Sequence, residues 1–133
     1  MAQVIIFQNS NGGVSTCHPS EGYDINKVLV NDCPAGAVIV DEETLPMADA
    51  DFFNAWVMNG STVTVDFVKA KALWLEHYNQ QATIVARTRS TNTAIGLENT
   101  PDDATWLASI NAGRANIAEA TTTDALRSIT VGA

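Results

Sequence analysis

Basic residues are scarce. Seven Lys and Arg face fifteen Asp and Glu across 133 residues, a net charge of −8. Proteins that bind nucleic acid neutralise phosphate with Lys and Arg, so no nucleic-acid partner is expected. Long apolar runs are also lacking: none approaches the roughly 20 residues that span a bilayer, and no membrane partner is expected. The start, Met1-Ala2-Gln3-Val4-Ile5-Ile6-Phe7, has neither a basic segment nor an extended apolar one, which predicts no secretory signal. Only two cysteines occur, Cys17 and Cys33. Their spacing leaves a disulfide open, with reduced thiols the default for a chain without a signal.

Ligand-binding motifs are equally sparse. Zinc needs three or four ligands in paired spacing, whereas Cys17 and His18 are joined only by Cys33 and the distant His77. Asp41-Glu42-Glu43 lacks the alternation and glycine of a calcium loop and reads as a solvated loop. There is no nucleophile elbow, phosphate-cradling glycine loop or dinucleotide fingerprint. The expectation is a non-enzyme without metal or cofactor.

What is present is enough to build a core. Hydrophobic residues make up 46% of the chain and charged residues 17%, which excludes a disordered acidic tail. Charge divides the chain: residues 1–66 carry nine acids against Lys27, whereas residues 67–133 carry six acids and six bases. Such asymmetry marks units with different surroundings. The expected organisation is a β-rich head over 1–66 and a helical hairpin over 67–133, as two units or one continuous domain.

The head reads as short strands and turns. Val4–Gln8 and Val14–His18 flank Asn9-Ser10-Asn11-Gly12-Gly13, a hairpin signal. Asp24 caps a helix over Ile25–Val30 with Ile25, Val28 and Leu29 on one face. Ala37–Val40 reads as a buried strand, and Asp41–Pro46 as a loop. Asp49 or Asp51 would cap one turn carrying Phe52, Phe53 and Trp56. Trp56–Met58 and Thr62–Val65 then flank Asn59-Gly60, which favours a tight primed turn.

At Asp66 the period changes to that of a helix. Phe67, Ala70, Trp74, Tyr78, Gln81 and Val85 recur at three or four residues, with Leu75 and Ala82 widening the stripe. The run predicts a helix of some thirty residues, about 45 Å long, with Ser90–Thr93 a weak point and Gly96 a stop. Thr100 as cap, Pro101 at the first position and Asp102-Asp103 behind it open a second helix. Its buried face is predicted to be Trp106 or Leu107, Ile110, Gly113 and Ile117, and a stripe of Ala104, Ala108, Ala112, Ala115 and Ala118 offers a small-residue face. Thr121-Thr122-Thr123-Asp124 caps a short last helix with Leu126 and Ile129. The predicted class is α+β: a small antiparallel β-rich N-terminal head, then an α-helical hairpin and a short terminal helix.

A thin two-helix layer leaves apolar surface to be covered by the head, a second copy or another chain. Aromatics anchor interfaces when exposed, and Phe52, Phe53, Trp56, Trp74 and Tyr78 are the candidates, although aromatics of small domains are mostly core.

One order of residues carries a likeness. It runs Gly13-Val14, Pro19, Ile25–Val28, Asp32-Cys33-Pro34-Ala35-Gly36, Ile39-Val40-Asp41-Glu42 and Leu45-Pro46. It continues through Phe52 or Phe53, Ala55-Trp56, Val63-Thr64-Val65-Asp66 and Lys69-Ala70-Lys71. Over about the first seventy-five residues this resembles a group of small tailed-bacteriophage proteins encoded near tail-fibre genes, sometimes labelled tail-fibre assembly proteins. The likeness implies a phage protein that binds a tail or tail-fibre protein, is made in the bacterial cytoplasm and resides in the virion. It brings no catalytic residues. The expected role is a small structural virion component, possible as a homo-oligomer. The alternative is an assembly chaperone that leaves the mature particle.

Overall fold

The computed structural model describes residues 2–132. It is an α+β chain, with short antiparallel strands first and helices after them. By compactness it divides into residues 1–70 and 71–133, with the division inside the first turn of the long helix.

In the first unit, β1 (Gln3–Gln8) is the centre of a three-stranded antiparallel sheet, between β2 (Val14–Cys17) and β3 (Val38–Asp41). Gln8 pairs with Val14 across the first turn, where the Asn9 side-chain oxygen accepts the N–H groups of Asn11 and Gly13 at 3.0 Å each. The central strand is buried on both faces: Val4, Ile5 and Ile6 are all 1% exposed or less. Val4 and Ile6 face a core with Val14, Val40, Leu45, Trp56 and Val63. Helix α1 (Ile25–Asp32) follows its expected cap, Asp24, whose carboxylate accepts Asn26 N–H at 2.9 Å. It runs two residues beyond the predicted end.

Two local expectations are corrected here. Residues Met47–Ala55 form 3-10 turns interrupted by non-helical backbone at Asp49 and Phe52, and Pro46, with no side-chain cap bond, stands at their N-cap position. Trp56 lies beyond them, as the first residue of β4 (Trp56–Asn59). The turn to β5 (Thr62–Val65) is Gly60-Ser61 rather than Asn59-Gly60, because Asn59 pairs with Thr62. Gly60 has φ +63°, and among the described residues no non-glycine has a positive φ. Positive φ at the first central position alone is the II′ pattern, whereas the I′ turn favoured by Asn-Gly needs it at both.

Asp66 caps α2 (Phe67–Ala94), accepting Val68 N–H at 3.1 Å and Lys69 N–H at 3.3 Å. The helix passes through Ser90–Thr93 without a break. It ends where Leu97 N–H reaches Asn92 O at 2.8 Å and Gly96 N–H reaches Thr93 O at 3.2 Å, with Gly96 at φ +83°. This nested pair of bonds is the Schellman closure, for which glycine is the favoured residue.

In the second unit, α3 (Asp103–Glu119) runs antiparallel to α2. Lys71 Nζ donates to Ala118 O at 2.7 Å near one end, Arg114 Nε to Asn79 Oδ1 at 2.9 Å, and Arg89 to Asp103 near the other. The cap of α3 is Asp102, which accepts Thr105 N–H at 2.8 Å, and not Thr100. Pro101 therefore precedes the cap, and its carbonyl accepts from Arg89. The buried face is Ile110, Gly113 and Ile117 as expected, whereas of the pair expected before them Trp106 is half-buried and Leu107 exposed. The five alanines of the small-residue stripe are all exposed. The close approach is at Gly113, where a Cβ would sit 2.0 Å from Tyr78 Oη. Helix α4 (Thr123–Arg127) is capped by Thr122 and buries Leu126 completely.

Candidate protein interface

The five aromatic candidates do not form one surface. Phe52 and Trp56 are 1% and 2% exposed and belong to the core of the first unit. Trp56 Nε1 donates to Asp49 O at 3.1 Å, so its only polar group is satisfied indoors. Phe53 is half-buried, packed on the same core with its ring centroid 4.9 Å from that of Trp56. In the second unit, Tyr78 is 3% exposed and donates its hydroxyl proton to Ile110 O at 3.3 Å. Phe52, Trp56 and Tyr78 are therefore buried within their own units, and the polar atoms of Trp56 and Tyr78 are paired there.

Trp74 differs. It is half-buried, donates from Nε1 to Ile129 O at 3.0 Å and packs against His77 at 5.0 Å between ring centroids. One face of it lines a recess of about 350 Å³ with His77, Gln81, Val85 and Ile129.

The exposed apolar side chains of the second unit are others. Leu75, Ile84, Ile95, Leu97 and Leu107 are between 37% and 65% exposed. Leu75, expected to widen the buried stripe of α2, is 37% exposed although it keeps helical spacing with Tyr78, Ala82 and Arg89, which are buried. The larger groove, about 590 Å³, lies between the last turns of α2 and the first turns of α3, lined by Ala86, Arg89, Thr93, Trp106 and Leu107 among others.

Arg89 organises that groove. Its guanidinium donates to Asp103 Oδ1 at 2.9 and 3.1 Å and to the Pro101 carbonyl, and it sits 5.1 Å from the centroid of the Trp106 ring. Its side chain is 8% exposed, while that of Asp103 is 74% exposed. In the sequence Arg89 stands in no motif. The available signal was its spacing, since it continues the series Tyr78, Ala82, Val85 and meets Asp103 across a short connection. Next to it, hydrogen bonds from Thr105, first its side chain and then its backbone N–H, hold the Asp102 carboxyl below the ordinary range.

Among the described residues, no three His, Cys, Asp or Glu side chains converge on a point that could hold a metal. His18 Nε2 lies 3.8 Å from Glu42 Oε1. No helix of the described residues is long and apolar enough to cross a membrane. Cys17 and Cys33 are both thiols, each half-exposed. The likeness to small phage proteins rests on the residues quoted for it, since no family model, curated protein or solved structure matches the chain.

Proposed function

We propose that the protein is a non-enzymatic protein-binding module of a tailed bacteriophage, a small structural component associated with the tail or a tail fibre. The observation that carries the binding role is the uncovered apolar surface of the helical unit: Leu107, more than half exposed, lines a groove, and Ile84, Ile95 and Leu97 are also more than half exposed. Exposed apolar residues clustered around a concavity are what protein partners cover. The phage context comes from the sequence likeness over about the first seventy-five residues. The acidic first seventy residues, with nine acids against Lys27 and Lys69, favour encounter with a basic partner surface.

Quantitative mass spectrometry of purified particles beside infected-cell lysate tests this reading. Presence at fixed stoichiometry in particles is the expected result. Presence in lysate alone replaces the structural role with that of an assembly chaperone, and absence of any association with tail or fibre proteins overturns both.

A further inference from the structure

The two cysteines are brought together by elements far apart in their local structure. Cys17 ends β2 directly opposite Ile5 of β1, and Ile39 of β3 lies opposite Ile5 on the other side. Side chains alternate between sheet faces along a strand, and directly opposed residues share a face. Cys17, Ile5 and Ile39 therefore occupy the face opposite the one where Val4 and Ile6 join the Trp56 core. Helix α1 packs on β1 and β3, and Cys33 is its C-cap residue. Cys17 thus lies on the sheet face that α1 packs against, and Cys33 closes that helix.

Helix α1 is also the element most in need of an anchor. It has eight residues and buries none of them. Ile25, Val28 and Leu29 are half-covered, while Val30 is 79% exposed. Eight residues do not make a stable helix in isolation, so its order depends on docking.

We propose that Cys17 and Cys33 form a reversible disulfide that locks α1 onto the three-stranded sheet. The reaction is thiol–disulfide exchange with a low-molecular-weight disulfide such as oxidised glutathione. One cysteine thiolate attacks the glutathione disulfide, forming a mixed disulfide and expelling one glutathione thiolate. The second cysteine thiolate then attacks the protein sulfur of that mixed disulfide and expels the other. Two electrons pass to glutathione, and the two cysteine protons end on the two thiols released. Both sulfurs are half-exposed, which admits the oxidant. Partial burial, followed by the charge of Cys17, raises the Cys33 thiol above its ordinary value. Since thiolate is the reacting form, closure accelerates as pH rises through the alkaline range. The bond closes a short loop carrying α1 and so restricts the unfolded chain.

The test uses the full chain in oxidised glutathione and in a reducing buffer, with free thiols alkylated before mass analysis. The expected product is a monomer with no alkylated cysteine, a peptide pair joining Cys17 to Cys33, and a melting transition raised by roughly 10 °C. In Cys17→Ser the rise disappears and Cys33 carries a single glutathione. Two glutathione adducts per wild-type chain, a cross-link only between chains, or a closed disulfide without a higher melting temperature each overturn the proposal. None of these outcomes depends on the partner, so particle composition and this measurement fail independently.

Discussion

The two units are held together by different means. Residues 1–70 rely on apolar volume: Trp56, Phe52, Ile5, Ile6, Val4 and Val14 are all almost fully buried, and the central strand is covered on both faces. Residues 71–133 have few large buried side chains and rely instead on side chains reaching specific atoms. Tyr78 reaches Ile110 O, Trp74 reaches Ile129 O, Trp106 Nε1 reaches Gly132 O at 3.3 Å, and Arg89 spans Asp103 and Pro101. A two-helix layer has too little interior to exclude water by bulk alone. Directional bonds therefore set its register, and apolar side chains such as Leu107 are left on the outside. Among the described residues, every buried side-chain nitrogen and oxygen has a partner.

This contrast can be broken by mutation, the largest effect being expected in the first unit. Trp56→Ala removes the largest fully buried side chain and should cost about 3–5 kcal/mol, measured by urea denaturation of the full chain. A loss below about 1 kcal/mol would mean that bulk burial does not hold that unit. In the second unit, Gly113→Ala places a methyl 2.0 Å from Tyr78 Oη and should cost about 3 kcal/mol through overpacking. The same change in a Tyr78→Ala background should be nearly neutral, a coupling that a double-mutant cycle reads directly.

Arg89→Met should cost about 2 kcal/mol by removing charge-assisted bonds from a buried position. Asp103→Asn should cost less than about 1 kcal/mol, because that carboxylate is well solvated and the Pro101 carbonyl remains a partner. Equal losses at the two sites would mean the ion pair, rather than the seating of the guanidinium, fixes the groove.

The smallest effect is a pH dependence at the start of α3. The carboxyl of Asp102 is lower in the folded chain than its ordinary 3.8, so the unfolded chain takes up its proton first as pH falls. Its contribution is therefore complete above that value and fades as pH drops through the folded value. Asp102→Asn keeps a competent cap and should remove this part of the acid sensitivity, as followed by thermal melts between neutral and acid pH.

Much of this architecture is legible residue by residue. Asp24 and Asp66 announce their helices because a short carboxylate answers unpaired N–H groups locally. Gly96 announces the end of α2 because its backbone region is nearly closed to other residues. Ile110, Gly113 and Ile117 show their burial through spacing alone. The candidate interface was far less legible. Exposure depends on what lies opposite a face, and periodicity does not distinguish a ring that meets solvent from one that meets Ile110 O. The choice between Thr100 and Asp102 as cap had the same character, since both residues cap well and the seat of Arg89 on Pro101 O decides between them.

By itself the chain determined its class, the order of its strands and helices, and the change from alternating to helical period at Asp66. These follow from local backbone preferences and from which residues avoid water. Only the tertiary structure decided that β1 is the central strand, that Arg89 is enclosed while Leu107 is not, and that Cys17 lies on the sheet face that α1 packs against. Those outcomes depend on contacts between residues distant in sequence, whose energies no local pattern contains.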